Sequence, residues 1–355
     1  MKVLVLGGTG VISREIVKLL IARQHEVALY NRGTRDQQVA EGVKLMSGDR
    51  LEREQFESAM RSERFDAVID MICFNEADAR STVAAFGDSG AHIVICSSVA
   101  AYKRPYSSIP TVESAEELYD DPTFPYAFDK AEVERYMNRV IAERQLPITM
   151  IRPSLTFGPG AANMGVLRQN YGIIDRIRKG KPLVMFGDGS TAFSFTFTPD
   201  LAKAFVGVLG NERTYGEAYH VCSEERSRWE DLYLTFGSVL GSEVKIVHIP
   251  SELLMAAKPD LFSHLFFEKT YPGLFDNAKI RRVLPDFDCD IDLREGVKMM
   301  VAWFEKEANQ VYNRMAGVCD RFLGYQIPML GYIRSDKRVV KAVKPRSPYM
   351  IETPK

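Results

Sequence analysis

Tyr126 and Lys130 stand four residues apart in "YAFDK", and a serine pair, Ser97 and Ser98, lies upstream in "ICSSVAAY". A free phenol ionises near pH 10, too high for a base at neutral pH. An ammonium nearby, joined by the positive ring of an oxidised nicotinamide, favours the phenolate and is expected to lower that value. Residues four apart share one face of a helix, so Tyr126 and Lys130 would point the same way. Ser98 could then hold a substrate oxygen by a hydrogen bond. Such a trio can move the proton that accompanies a hydride. YxxxK alone is common by chance; the match sharpens because "ICSS" ends an apolar run and a glycine-rich turn opens the chain.

That turn is "VLVLGGTGVIS". Gly7, Gly8 and Gly10, with Thr9, Val11 and Ile12 between and after them, sit between an expected strand and an expected helix. Glycines let the backbone approach a pyrophosphate, whose charge then faces the free N–H groups of the helix start. Ser13 stands where the usual fingerprint has its third glycine, a small-for-small change. Where an acid would grip the adenosine ribose, this chain has Asn31, then Arg32 and Arg35. Arginine welcomes a 2′-phosphate, so the reading leans to NADP over NAD. Asp49 in "SGDR" is placed to meet the adenine amino group, with Arg50 beside it.

The elements that would carry these groups are legible as alternation. Strands are expected at 2–6, 26–30, 43–46, 65–71, 92–96 and 148–151. Helices are expected at 13–24, 52–62, 76–86 and 126–144. Strand alternating with helix over this length argues an α/β fold, a Rossmann-type doubly wound parallel sheet. After "RPSLTFGPG" the pattern loosens into a helix at 164–180, a strand and turn in "PLVMFGDGS", a helix at 199–209, and strands in "EAYHVCS" and "EVKIVHI" around a helix at 229–240. The expected organisation is a mainly dinucleotide-binding part over 1–160, a smaller substrate-binding lobe over 161–310 interleaved with the sheet, and a basic extension over 311–355.

Length and composition agree with this. At 355 residues, two closely packed lobes are the default. A hydrophobic share of 46% and a charged share of 26% are ordinary for a globular protein. A net charge of -1 gives no general pull toward nucleic acid or anionic membrane. Five scattered cysteines without a CxxC pair suit a reducing compartment, and five histidines show no ligand spacing, so no metal is expected. With no signal-like segment and no membrane-length apolar run, a cytoplasmic location is expected.

From these motifs the chain resembles the extended short-chain dehydrogenases/reductases, which include NAD-dependent sugar epimerases and dehydratases. The resemblance runs over roughly 1–305 and rests on "GGTGVIS", "SSVAAY", "YAFDK", "RPSLTFGPG" and "FGDGSTAFSFTFTPDLAKA". It implies Tyr126 as acid/base, Lys130 as ribose-binding and phenol-tuning, Ser98 as substrate-orienting, and Ser97 at the cofactor. Arg152 and Pro153 would begin a loop closing over nicotinamide and substrate, with Lys103, Thr156 and Phe193 on the substrate side. Three features depart from the family pattern. Leu155 replaces an asparagine, Phe193 replaces a diphosphate-gripping arginine, and Val99 and Ala100 replace the Asp-Glu of 4,6-dehydratases. Lys103, Arg104 or Arg168 could substitute at a diphosphate. "AVIDM" and "VKIVHIPSELL" are similar to a divergent branch related to chloroplast stem-loop RNA-binding proteins.

The expectation is an NAD(P)-dependent oxidoreductase or epimerase acting on a secondary alcohol or ketone carbon of a sugar or nucleotide sugar. The resemblance also suggests a homodimer. The alternative is an RNA-binding or nucleotide-sensing protein on the same scaffold, using the basic extension.

Overall fold

Short apolar runs that stop at glycine or polar residues become one parallel sheet in the computed structural model. It describes residues 1–33, 42–161, 165–166, 171–306 and 309–310. Arg35, Arg168 and the basic extension lie outside the described residues. The strands are β1 (Lys2–Leu6), β2 (Glu26–Asn31), β3 (Lys44–Ser47), β4 (Ala67–Asp70), β5 (His92–Cys96) and β6 (Ile148–Pro153). A seventh strand, Ala218–Val221, pairs with β6, giving the order Ala218–Val221, β6, β5, β4, β1, β2, β3 with every pair parallel. Strand order reverses between β1 and β4, and doubly wound sheets bind ligands at such a switch point.

Both faces of the sheet are covered, which is why its strands read as nearly continuous apolar runs. Val3 and Val5 face helix α1 (Val11–Ala22) and the helix Thr198–Gly207 through Ile16, Leu20, Leu201 and Phe205. Leu4 and Leu6 face the opposite layer, made by α2 (Arg53–Arg61), α3 (Glu76–Phe86) and α4 (Pro125–Arg144) through Phe56, Phe86, Val133 and Met137. α4 starts on Pro125, whose fixed φ suits a first helical position. It ends at Gln145 in the left-handed region (φ 50). Its buried side includes Lys130 and Glu134 as well as apolar residues.

Two expectations differ in extent. β6 runs on to Pro153 because Ala218–Val221 offers it a partner, which sets Arg152 directly opposite His220. Of the expected helix at 164–180, the described part is Gly172–Arg178.

The second lobe has its own apolar core, including Phe186, Phe193, Phe195, Trp229 and Phe236. Leu183–Phe186 pairs with Ile246–Ile249, and the helices Trp229–Leu240 and Leu293–Phe304 pack together. The chain reaches this lobe through β6, returns to the sheet over Thr198–Val221, and leaves again. Among the described residues, no helix is long and apolar enough to cross a membrane.

Candidate active site

The glycine turn is shaped by sterics. Gly7 has φ +79, and a Cβ there would lie 2.4 Å from Ile72 Cγ2; one on Gly8 would lie 2.5 Å from Leu29 Cδ2. Gly10 caps α1 with no side-chain bond, and the first turn holds no acid. The first N–H groups of the helix thus face outward, ready for an anion. Beside them opens a cleft of about 370 Å³ lined by Gly7, Thr9, Gly10, Tyr30, Asn31, Arg32, Asp49, Ile72 and Phe74 among others.

Asn31 Nδ2 is buried at this cleft without a hydrogen-bond partner among the described residues. Arg32 is exposed at its rim. Asp49 accepts from the Leu51 amide at 2.9 Å and so shapes its own turn. Arg50 behaves differently from the expectation of a cofactor ligand. Its guanidinium is buried and donates to Asp70 at 2.7 Å, to the Asp78 carbonyl at 2.6 Å and to Thr82 at 2.5 Å. It lines the cleft with Nη1 and Nη2 held by protein, while its buried Nε has no hydrogen-bond partner among the described residues.

Beyond Phe74 of the cleft, α4 carries Tyr126, Lys130 and Glu134 at successive four-residue spacings. Lys130 is 3% exposed, and its ammonium donates to the carbonyls of Cys73 at 2.8 Å and Cys96 at 2.7 Å. It therefore sits between the ends of β4 and β5, with one N–H left over. The ring of Phe74, a cleft residue, stands 5.3 Å from its nitrogen. Ser98 caps the 3-10 turn Val99–Ala101, accepting from the Ala100 amide at 3.0 Å.

At Tyr126 the expected downward effect of the lysine is present but opposed. Burial of its hydroxyl pushes the phenol above its ordinary pKa; Lys130 and a hydrogen bond from Ser98 act downward, and Glu268 acts upward. Within the protein's own groups, burial outweighs the lysine. The residue is 49% exposed, so solvent tempers the shift.

Ser97 lies one residue from the trio but faces away from it. Its hydroxyl donates to Glu134, which is fully buried and paired with Arg152. Arg152 also donates to the Tyr102 hydroxyl at 2.6 Å, and Tyr102 meets His220 Nε2 at 2.7 Å. This chain of buried polar groups ties α4 to β5, β6 and the edge strand. Sequence reading passed over Glu134, although its spacing continues the line of Tyr126 and Lys130.

The expected substrate-side residues scatter. Lys103 is exposed and paired with Asp120 at 3.0 Å and Glu117 at 3.5 Å. Thr156 turns its hydroxyl to the Ser154 carbonyl at 3.2 Å. Phe193 is fully buried beside Phe195 and Trp229, with the Lys269 ammonium 4.6 Å from its ring. Pro153 ends β6 opposite Val221.

Known proteins show the same design. The chain is 27% identical over 289 residues to 2′-dehydrokanamycin reductase of Streptomyces kanamyceticus, covering 81% of this chain and 80% of that one. It is 24% identical to the chloroplast stem-loop binding protein of 41 kDa b of Arabidopsis thaliana, covering 74% of this chain and 67% of that one. The fold is that of dTDP-glucose 4,6-dehydratase from Bacillus anthracis, solved in complex with NAD (TM-score 0.70, 16% identity, 86% of this chain and 97% of that one). An epimerase from Methanothermobacter thermautotrophicus is equally similar (TM-score 0.72, 20% identity, 87% and 93%). None of these lends support to NADP over NAD. Residues 3–84 and 75–222 match the model of the NAD dependent epimerase/dehydratase family, and the chain belongs to that family.

Proposed function

We propose that the chain is an NAD(H)-dependent reductase or epimerase working on a ketone or secondary alcohol carbon of a sugar-like compound. The observation that carries this is the convergence of Ser98, Tyr126 and Lys130 at the ends of β4 and β5, beside the glycine-turn cleft. The residues present fit a dinucleotide. The α1 start would take the pyrophosphate, Asn31 Nδ2 a ribose or adenine acceptor, and the remaining Lys130 N–H a ribose hydroxyl. The nicotinamide, when bound, accepts or delivers the hydride.

The side chains then divide the proton work. Tyr126 donates its hydroxyl proton to the carbonyl oxygen in reduction and removes it in oxidation. A phenol is protonated across the neutral range and so is ready to donate in the reductive direction. Ser98 holds the same oxygen, and Lys130 offsets the charge left on the phenolate. Fully buried Phe193 leaves no arginine for a diphosphate at that position, which favours substrates other than nucleotide sugars. Arg32 carries the finer proposal of an NADP preference. The RNA-binding alternative is not favoured by the family match or by the reductase and dehydratase likenesses, and the basic extension it would use lies outside the described residues.

The test is turnover of keto sugars followed by NADH or NADPH oxidation and product NMR. Tyr126→Phe is expected to lower kcat by at least about a hundredfold. NADH binding, read by fluorescence, should persist. Unchanged turnover in that variant refutes the assignment.

A further inference from the structure

Above the trio lies a second polar group of side chains that the reaction described so far does not use. Arg104 follows the turn Val99–Ala101 and bends back over it, donating through Nη2 to the Ala100 carbonyl at 2.9 Å. Its Nε and Nη1 are buried and have no hydrogen-bond partner among the described residues. The Tyr106 hydroxyl is likewise buried with no acceptor for its proton among the described residues, and the Arg104 guanidinium lies close enough to act on its phenol. The guanidinium stands 5.7 Å from the Tyr106 ring and 6.0 Å from the Tyr119 ring, so aromatic faces hold it in place.

The second lobe closes over this group. The π-helical turn Leu265–Lys269 places Phe267 in a stack on Phe124 at 5.7 Å, and Phe124 is the residue from which α4 starts toward Tyr126. Phe275, further along the same segment, packs on Tyr106 at 5.5 Å. The turn carries Glu268 and Lys269, both buried and paired at 2.6 Å. Burial would raise the Glu268 pKa, yet Lys269 and Arg104 hold it below the usual carboxylate value, so the carboxylate is charged. Phe124, on which Phe267 stacks, also meets the Tyr126 ring at 6.4 Å, so the turn that carries Glu268 packs against the start of α4 beside the phenol. π-Turns are rare and recur at functional sites.

Unmet buried donors are costly, and native proteins retain them chiefly where a ligand completes them. Here two guanidinium nitrogens and a phenol want acceptors, while a carboxylate next to them wants donors. A simple anion would meet Arg104 but face Glu268, and a simple cation the reverse. Vicinal hydroxyls on a ring satisfy both, because each accepts and donates.

We propose that Arg104, Tyr106 and Glu268 form the recognition pocket for the ring hydroxyls of a neutral polyhydroxylated substrate, holding its reacting carbon against Tyr126. This rests on the enzymatic reading above and specifies its substrate class. Lys269 fixes the Glu268 carboxylate and works as a positioning residue.

The experiment measures binding, so it does not depend on turnover. Full-length protein saturated with NADH is titrated with glucose, galactose and myo-inositol at millimolar concentration, read by saturation-transfer NMR. At least one of these is expected to bind, with affinity falling about fivefold in Tyr106→Phe and about tenfold in Arg104→Met and Glu268→Gln. NADH affinity should be unchanged in all three. Tyr106→Phe removes a hydroxyl whose proton has no acceptor among the described residues, so its thermal midpoint should hold or rise, whereas a structural role would lower it. Absence of binding by all three probes, or equal affinity in wild type and variants, overturns the proposal. Failure of the enzymatic reading shows separately, as turnover indifferent to Tyr126→Phe.

Discussion

Glu134 offers the sharpest quantitative test, because it is fully buried and its partners are all identified. Arg152 donates to it through Nε at 2.9 and 3.1 Å and through Nη2, and Ser97 donates to the same carboxylate. Glu134→Leu would strand the Arg152 guanidinium, itself 7% exposed, at a cost of about 3–5 kcal/mol. The orphaned Ser97 hydroxyl adds about 1 kcal/mol. A total near 4–6 kcal/mol is a large part of the 5–15 kcal/mol that typically separates folded from unfolded protein. Arg152→Met added to Glu134→Leu removes the stranded charge, and apolar replacement of a whole buried pair is often neutral or better. The double variant should therefore regain at least about 2 kcal/mol over Glu134→Leu alone. Urea unfolding followed by far-UV circular dichroism, with slopes compared across the three proteins, reads these differences. A loss below about 1 kcal/mol for Glu134→Leu, or a double variant no more stable than it, refutes the argument that charge compensation holds α4 to the sheet.

Three further outcomes follow from local geometry. Lys130→Met removes the main charge opposing the effect of burial on Tyr126, so the alkaline limb of the reductive pH–rate profile should move to higher pH, with NADH affinity also reduced; an unmoved limb would deny the coupling. Gly7→Ala sets a methyl 2.4 Å from Ile72 Cγ2 at φ +79, so it should cost about 2–4 kcal/mol and weaken NADH binding, checked by thermal unfolding and fluorescence titration. Burial lowers the pKa of His92 to about 4 and of His220 to about 3, so each stays neutral in the fold while the unfolded chain takes up protons below its ordinary value near 6.5. Their contribution is full above that value and is lost as pH falls toward the folded values, about 2 kcal/mol each by pH 5. His92→Gln should accordingly flatten the acid side of the stability curve.

Much of the site is written locally. The run "KVLVL" ending at Gly7 places a phosphate-ready helix start, because strand, sharp turn and helix are each decided by neighbouring residues. The four-residue spacing of Tyr126 and Lys130 survives folding for the same reason, and every strand of the first six was legible as an apolar run between breakers. What each charged residue would touch was less legible. Arg50 reads as a cofactor residue beside Asp49, yet Asp70, at the end of another strand, draws its guanidinium into the wall of the cleft. Lys103 reads as a substrate cation, yet two acids of the following loop occupy it.

By itself the chain determined the alternation of strands and helices, the glycine turn, and the alignment of phenol and ammonium, since all depend on spacings of a few residues. Only the tertiary structure set Glu134 against Arg152 and packed Phe267 of the second lobe on Phe124 beside Tyr126. It also decided the direction of the Tyr126 shift. Burial is a property of everything packed around an atom, and no pattern along a single chain reports which distant side chains will exclude water from it.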